Sequence, residues 1–364
     1  QRLYNNNNKK LFHAYQYFHR LSWCELSEES CRGLASSVIG APSSNLTELD
    51  LSHNDLLDSG VQMLAGGLQS PHCRLEILKL LGCQVTEKGC SFLASALKSN
   101  TASTLKLLDL SYNHPGVNGK AELNAIVEDP NMSLKTLCLD HDGAHRLKAG
   151  LKKYGDDLKL DESTASKRLV LSDGGRKAKT VQLVNEKVQR PESPVRFKRT
   201  QVFCEKGLNG LCYWEVECEG EVGIAVAYRA VGRRWDRSGG LGCNDKSWSL
   251  LCSRYTTRYK TRYTAIHGKT SKDVKPNNGK LSKAVKRNNK RTSEDVNPKE
   301  NVQRCKKIGV FLDWEAGTLT YYRVKPEKEL IHTFHHKFTE LVFPCFWFKN
   351  GSVTLCEMNL CSVP

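Results

Sequence analysis

Several short stretches of the chain carry residue types that can do chemistry. Gly240 to Ser247, ending in Asp245-Lys246-Ser247, has the outline of a phosphate-cradling loop. Such a loop needs Gly before its Lys, where Asp245 would repel phosphate, and a strand pattern follows instead of a helix. His332, His335 and His336 are metal-ligand types, yet on a strand residues 332 and 335 point to opposite faces, and no further ligand cluster accompanies them. Fifteen cysteines occur without one C-x-x-C pair, which excludes the spacing of paired zinc and redox motifs. No G-x-S-x-G and no activating cysteine context occurs. The expectation is a non-catalytic chain with no metal and no cofactor. What remains is Arg233-Arg234-Trp235-Asp236-Arg237. An exposed Trp among arginines is the chemistry of a protein-binding hot spot; the competing reading is a solvated basic turn with Trp235 folded inward. Phe348, Lys349 and Asn350 form a second candidate.

The charge of +16 is concentrated rather than general. Residues 257–307 hold 16 Lys+Arg and 4 Asp+Glu, a net of +12, while the other residues hold 39 and 35. This segment is rich in Lys, Asn, Ser and Thr and poor in apolar groups, so it is expected to stay disordered. Its Lys286-Arg287-Asn-Asn-Lys290-Arg291 run resembles a nuclear-localisation or nucleic-acid patch, with Tyr259 and Tyr263 the few aromatics available to stack on bases. A disordered loop, an RNA- or membrane-attracting tail, and intron-derived sequence all fit its composition. No apolar run approaches the ~20 residues of a membrane helix, and the Asn-rich leader (residues 1–15) is no signal peptide. The leader and the missing initial Met fit a chain that begins inside a longer protein. Cysteines at apolar repeat positions act as small hydrophobes, which fits a reduced, cytoplasmic chain in which sequons such as Asn45-Leu-Thr47 are chance matches.

The elements that position these residues fall into two kinds. The frame L-x-x-L-x-L-x-x-N/C occurs at Leu46, Leu49, Leu51, Asn54, again at Leu75, Leu78, Leu80, Cys83, and at Leu105, Leu108, Leu110, Asn113. A fourth copy, Leu134, Leu137, Leu139, has His141-Asp142 where Asn is due, and a worn copy thirty residues before the first keeps Leu21 and Cys24. Between frames, Val61, Leu64, Ala65 and Leu68 fall on one helical stripe, matched by Cys90, Leu93, Ala94 and Leu97. Each unit is therefore a short strand, an Asn or Cys corner that satisfies turn backbone, and a helix. This pattern resembles ribonuclease-inhibitor-type leucine-rich repeats, which also form the C-terminal arrays of NOD-like receptors. The strand residues Glu48, Asp50, Lys79, Asp109 and Asp140 make a mildly acidic strip, read as a solvated face.

From Leu158 the period changes to short Val-, Tyr-, Phe- and Trp-rich runs divided by turn residues, the pattern of an all-β sandwich. Leu160-Asp161-Glu162-Ser163-Thr164-Ala165 resembles the PRY opening, with Glu162 where the family usually has Pro. Gly210-Leu-Cys-Tyr-Trp-Glu-Val216, Val222 to Tyr228, Asn244 to Leu250, the Ile308 to Leu319 hairpin and Phe343-Pro-Cys-Phe346 resemble SPRY signatures in order. Trp214 and Trp248 read as core. The chain thus reads as multidomain, an α/β leucine-rich-repeat solenoid at 16–154 followed by an all-β PRY-SPRY sandwich, PRY at 158–210 and SPRY at 211–360 with the insert 257–307. Both modules in this order resemble the C-terminal end of a fish-type NOD-like receptor. The resemblance implies cytosolic innate-immune recognition of a protein or peptide through sandwich loops, here 230–242, with self-association within a larger receptor. It also implies an ATPase module elsewhere, whose Walker motif this chain lacks. Nucleic-acid binding through the insert and substrate recognition for a ubiquitin ligase are the alternatives.

Overall fold

The computed structural model describes residues 18–181, 188–254, 261–276, 306–324 and 328–358. The chain divides into two units, Gln1–Tyr154 and Gly155–Pro364. The leader 1–15 lies outside the described residues.

Each repeat frame folds as its spacing dictates. Strands β1 (Phe18–Arg20), β2 (Glu48–Asp50), β3 (Ile77–Lys79), β4 (Leu107–Asp109) and β5 (Thr136–Cys138) pair in parallel, in sequence order. The central Leu49, Leu78 and Leu108 point inward and are fully buried. Helices α1 (Glu28–Leu34), α2 (Leu57–Leu68), α3 (Glu87–Ser99) and α4 (Gly116–Glu128) follow β1 to β4. The stripe Val61, Leu64, Ala65, Leu68 of α2 and its α3 counterpart Cys90, Leu93, Ala94, Leu97 join one core with the strand leucines. Each buried Leu contributes about 1.5–3 kcal/mol relative to exposure. Neighbouring units also cap each other: Asp58 of α2 accepts from Thr86 N at 2.8 Å and Gly89 N at 3.1 Å at the start of α3.

The corner residues do what their types allow. Asn113 accepts from Cys83 N and Val85 N, both at 2.9 Å, and donates to Leu80 O at 2.8 Å and Leu110 O at 2.9 Å. Asn54 repeats the pattern on Cys24 N, Leu26 N, Leu21 O and Leu51 O. Each Asn therefore satisfies backbone groups of the preceding unit as well as its own. At the intervening corner the Cys83 thiol donates to Leu51 O at 3.2 Å. On the strand strip, Lys79 pairs with Glu48 at 2.8 Å, while Asp50 and Asp109 accept from Ser52 N and Ser111 N.

After β5 the chain doubles back in short 3₁₀ turns, Ala144–Arg146 and Gly150–Tyr154. Tyr154 is fully buried, within 2.7 Å of His53 Nδ1, and Lys153 is 1% exposed. Burial first, and then the Lys153 ammonium, pull the His53 pKa down to about 4, against an opposing pull from Asp50.

The second unit is built on β9 (Leu211–Tyr228), which runs unbroken for 18 residues where the sequence suggests two strands, Cys212–Glu217 and Val222–Tyr228. One edge pairs first with β13 (Lys306–Asp313) and then with β10 (Ser247–Arg254); the other pairs with β16 (Val342–Leu355). Gly220 adopts φ 76°, and a Cβ there would strike the Asn350 carbonyl, so the apparent Glu-Gly-Glu turn is a bend within a continuous strand. From β13 the sheet continues to β14 (Thr318–Arg323) and β15 (Glu329–His335), while β6 (Leu169–Ser172), β7 (Lys177–Thr180) and β8 (Gln201–Phe203) lie on the β16 side. Tyr321 of β14 donates to Ile224 O at 3.1 Å, which brings the β13–β14–β15 leaf over the second half of β9. Trp214 and Trp248 are each 1% exposed in the core so formed.

The insert is a partial correction. Expected to remain unfolded across 257–307, it instead supplies β11 (Thr261–His267) and β12 (Thr270–Val274), an antiparallel hairpin extending β10. Tyr263 and Ala265 alternate into the core, and Arg262 and Thr264 on the opposite face share Asp273. Period-2 alternation over seven residues outweighs the charge-rich average. Tyr263 is thereby unavailable for stacking on a base; Tyr259 and the Lys286–Arg291 run lie outside the described residues. His332 lies on β15 with its pKa lowered, burial first and then Lys272 and His335; among the described residues no group of three or more metal-ligating side chains gathers.

Replacing Asn113 by Ala leaves two buried amides and two carbonyls short of a partner and is expected to cost more than about 2 kcal/mol, read as a drop in denaturation midpoint. His53 has a depressed folded pKa, so its contribution is present above about 6.5 and lost as pH falls through about 4. The wild-type melting temperature should therefore fall across that window more steeply than that of His53→Gln.

Candidate protein-binding surface

Alternation along β9 and β16 creates two faces. Val222, Ile224 and Val226 of β9, with Phe346 and Phe348 of β16, enter the main core. Ala225, Ala227 and Cys345 face the other way and form a smaller core with Phe197, Phe203, Val231 and Leu241. Gly223 leaves room for the Trp347 indole, which donates to Ser249 Oγ at 2.9 Å. Val231 and Leu241 are the two ends of the loop 230–242, so the loop is laid over this second face by its own apolar termini.

Polar groups then fix its course. Gln201 of β8 donates to Gly239 O at 2.8 Å and accepts from Leu241 N at 3.1 Å. Asn244 donates to Ser238 O and Gly240 O at 3.1 and 2.7 Å, and Gly232 N donates to Ser238 O at 3.1 Å. Gly239 has no room for a Cβ beside the Arg234 carbonyl. Asp236 caps the 3₁₀ turn Arg237–Gly239 through Gly239 N, and its carboxyl is held below the usual range by the Ser238 hydroxyl first.

The named candidates separate on this scaffold. Arg233 is half-buried; its guanidinium lies over Phe197 and Phe203, 4.3 and 4.7 Å from the ring centres, and donates to Val195 O, Val231 O and Arg229 O. Burial first, then Arg229, pull its pKa down to about 10. Arg233 is thus an internal fastening. Arg234, Trp235 and Arg237 are exposed, Trp235 at 58%. The inward-folded alternative for Trp235 is not what the structure shows. Phe348 is 5% exposed, withdrawn into the main core because β16 runs on through residues 348–350. Lys349 pairs with Glu221 at 2.9 Å, and Asn350 accepts from Glu221 N at 3.1 Å at a bulge opposite β9.

Two partners of Trp235 have no local signal in the sequence. Arg168 and Arg199 place their guanidinium carbons 5.9 and 6.0 Å from its ring, and Arg199 donates to the Trp235 and Asp236 carbonyls. They lie 67 and 36 residues away along the chain, and only the packing of residues 160–203 against the loop assembles the group. Thr200 beside Arg199 accepts from Phe348 N at 2.9 Å, so the segment 199–201 runs from the Trp235 loop to β16. The result is a fixed aromatic ring framed by cations, with geometry suited to a carboxylate-bearing partner.

Comparison with known proteins defines the class of modules. A SPRY domain model matches residues 211–361 and a leucine-rich repeat model matches residues 43–65. The chain contains leucine-rich repeats and a SPRY domain, both of them protein-interaction modules. Among particular proteins, stonustoxin subunit beta of Synanceia horrida is 37% identical over 200 residues, 54% of this chain and 24% of the toxin subunit. The ribonuclease inhibitor of Sus scrofa is 42% identical over 122 residues, 34% of this chain and 26% of the inhibitor. NACHT, LRR and PYD domains-containing protein 12 of Mus musculus is 40% identical over 123 residues, 34% of this chain and 11% of that protein. The chain spans about a quarter or less of the length of these relatives. The crystal structure of the TRIM65 PSpry domain is similar over 57% of this chain and 93% of that one, at 23% identity and a TM-score of 0.43. No helix among the described residues is long and apolar enough to cross a membrane.

Truncating Phe348 to Ala is expected to destabilise the chain by about 3–5 kcal/mol, and Arg233→Ala also destabilises by leaving three carbonyls and two ring faces uncovered. Arg234→Ala should stay within about 0.5 kcal/mol. Urea denaturation of the three variants separates scaffold from surface.

Proposed function

We propose that the chain is the non-catalytic recognition part of a cytosolic innate-immune receptor of the NOD-like type, and that it binds a protein or peptide through the Trp235 loop of a PRY-SPRY sandwich. The observation that carries this reading is the exposed Trp235 ring held on a tied-down loop among Arg168, Arg199, Arg234 and Arg237. A large apolar side chain left in water on a rigid support is a binding feature, and Trp and Arg are the residue types that dominate such contacts. The receptor context rests on the repeats, whose relatives include NACHT- and LRR-containing proteins. Four or five repeats make too short an arc to wrap a globular ligand, so an inhibitor of ribonuclease is not the reading adopted. The net charge of +12 in residues 257–307 favours one second reading, polyanion binding through that segment.

The test is capture from a nuclease-treated cytosolic lysate by the immobilised full chain at moderate salt. Trp235→Ala should weaken capture of the specific partner at least tenfold, as removal of a hot-spot side chain worth about 2 kcal/mol or more does, with an unchanged melting temperature. Equal capture by both proteins would refute the loop as the site. Capture seen only from untreated lysate or only at low salt would transfer the activity to the basic segment.

A further inference from the structure

The repeats carry a second feature that the Trp235 reading does not use. Position 23 of the worn first unit recurs in register at 53, 82, 112 and 141, and there the chain has Trp, His, Gly, Tyr and His. All five residues adopt a left-handed backbone, with φ between 57° and 65°. A left-handed non-Gly residue is uncommon, and four in register mean that the corner geometry, not glycine, imposes the conformation. The side chains stack along the corner: Trp23 lies on His53 at 4.3 Å between ring centres, and Tyr112 lies on His141 at 4.6 Å. Gly82 leaves a gap in the middle of this ladder.

Tyr154 fills that gap. Its ring lies 5.8 Å from His53 and 5.5 Å from Tyr112, its hydroxyl is 2.7 Å from His53 Nδ1, and a Cβ on Gly82 would collide with that hydroxyl. Beside it, the Lys153 ammonium reaches Asn54 O at 3.3 Å, Gly82 O at 2.5 Å and Asp55 Oδ1 at 2.6 Å. Those acceptors use all three of its N–H bonds. Gly150 N donates to Asp55 Oδ2 at 3.0 Å, and Arg146 donates to His141 O and Lys153 O while lying over Tyr112. The strap 144–154 therefore behaves as a ligand of the corner: one cation in a cage of three acceptors and one ring in a slot between rings.

We propose that the corner ladder is a peptide-binding site of the repeats, selective for a segment presenting Lys followed by Tyr at the end of a 3₁₀ turn, and that the strap 144–154 occupies it as a self-ligand that a partner segment of the same chemistry displaces. The slot is a side-chain gap at one repeat position, and the cage consists of backbone carbonyls and the Asp55 carboxylate at the corner. Neither requires the strap to be covalently attached.

The experiment uses the full chain and a fluorescein-labelled synthetic peptide of the sequence 144–154. Wild type, with its slot filled, should show little binding. Lys153→Ala/Tyr154→Ala empties cage and slot together and should bind the peptide at least tenfold tighter. Adding Gly82→His to that double variant closes the slot with a side chain that the same backbone position already carries in other units, and should abolish the gain. Failure of the folded double variant to bind the peptide, or equal binding by wild type, would overturn the proposal and leave the strap a fixed part of the core. Should the double variant fail to fold, Gly82→His alone decides. Hydrogen exchange at residues 147–154 should then accelerate at least tenfold over wild type, and unchanged protection overturns the proposal.

Discussion

Strand β9 must find hydrogen-bonding partners along both edges for eighteen residues, and the second unit is arranged to provide them. An unpaired backbone group in that core would cost about as much as several buried methylenes return. One edge is completed by the 14 residues of β16, which pair from Val216 to Tyr228, with Asp156 N and Cys356 N donating to Tyr213 O and Glu215 O before them, and the other by two shorter strands end to end. The change of partner falls at Glu219–Glu221, where Gly220 permits the bend. Everything else in the unit follows from that division: the leaf led by β13 folds over the leaf led by β10, and the reverse face of β9 is left for a loop to cover.

The repeats meet the same demand differently. Parallel strands only three residues long leave turns whose amides and carbonyls have no strand partner. The corner Asn, with a carbonyl and an amide on one short side chain, supplies two acceptor contacts and two donor contacts at once. Because it serves the preceding unit too, a repeat is stable only beside a neighbour. The alternation with Cys follows, since a thiol between two such Asn residues has fewer backbone groups left to satisfy.

The repeats were legible because one requirement recurs every 29 or 30 residues and each copy corroborates the others. The placement of Trp214 and Trp248 was legible from alternation. Continuity of β9 and β16 was not, because Glu-Gly-Glu and Lys-Asn-Gly are ordinary hairpin-turn sequences, and only the matching bend in the partner strand distinguishes a bulge from a turn. Phe348, a binding candidate from its sequence neighbours, is therefore a core residue of β16. The hairpin at 261–274 was hidden by averaging charge over fifty residues, although Arg262-Tyr263-Thr264-Ala265 alternates. Arg168 and Arg199 could not have been found beside Trp235 without the tertiary structure. Gly82 and Tyr154 were equally silent, since each is unremarkable alone and informative only in contact.

The fastening of the 230–242 loop separates the residues that hold it from the residues it exposes. Its course is set by Gln201, Asn244, the buried Val231 and Leu241, and the cramped Gly239, none of which presents a side chain outward. Arg234, Trp235 and Arg237 are not required by any of these contacts. Substitution at those three positions leaves how the chain folds untouched, so under the proposed reading of the loop, ligand preference and foldability can diverge independently through evolutionary time.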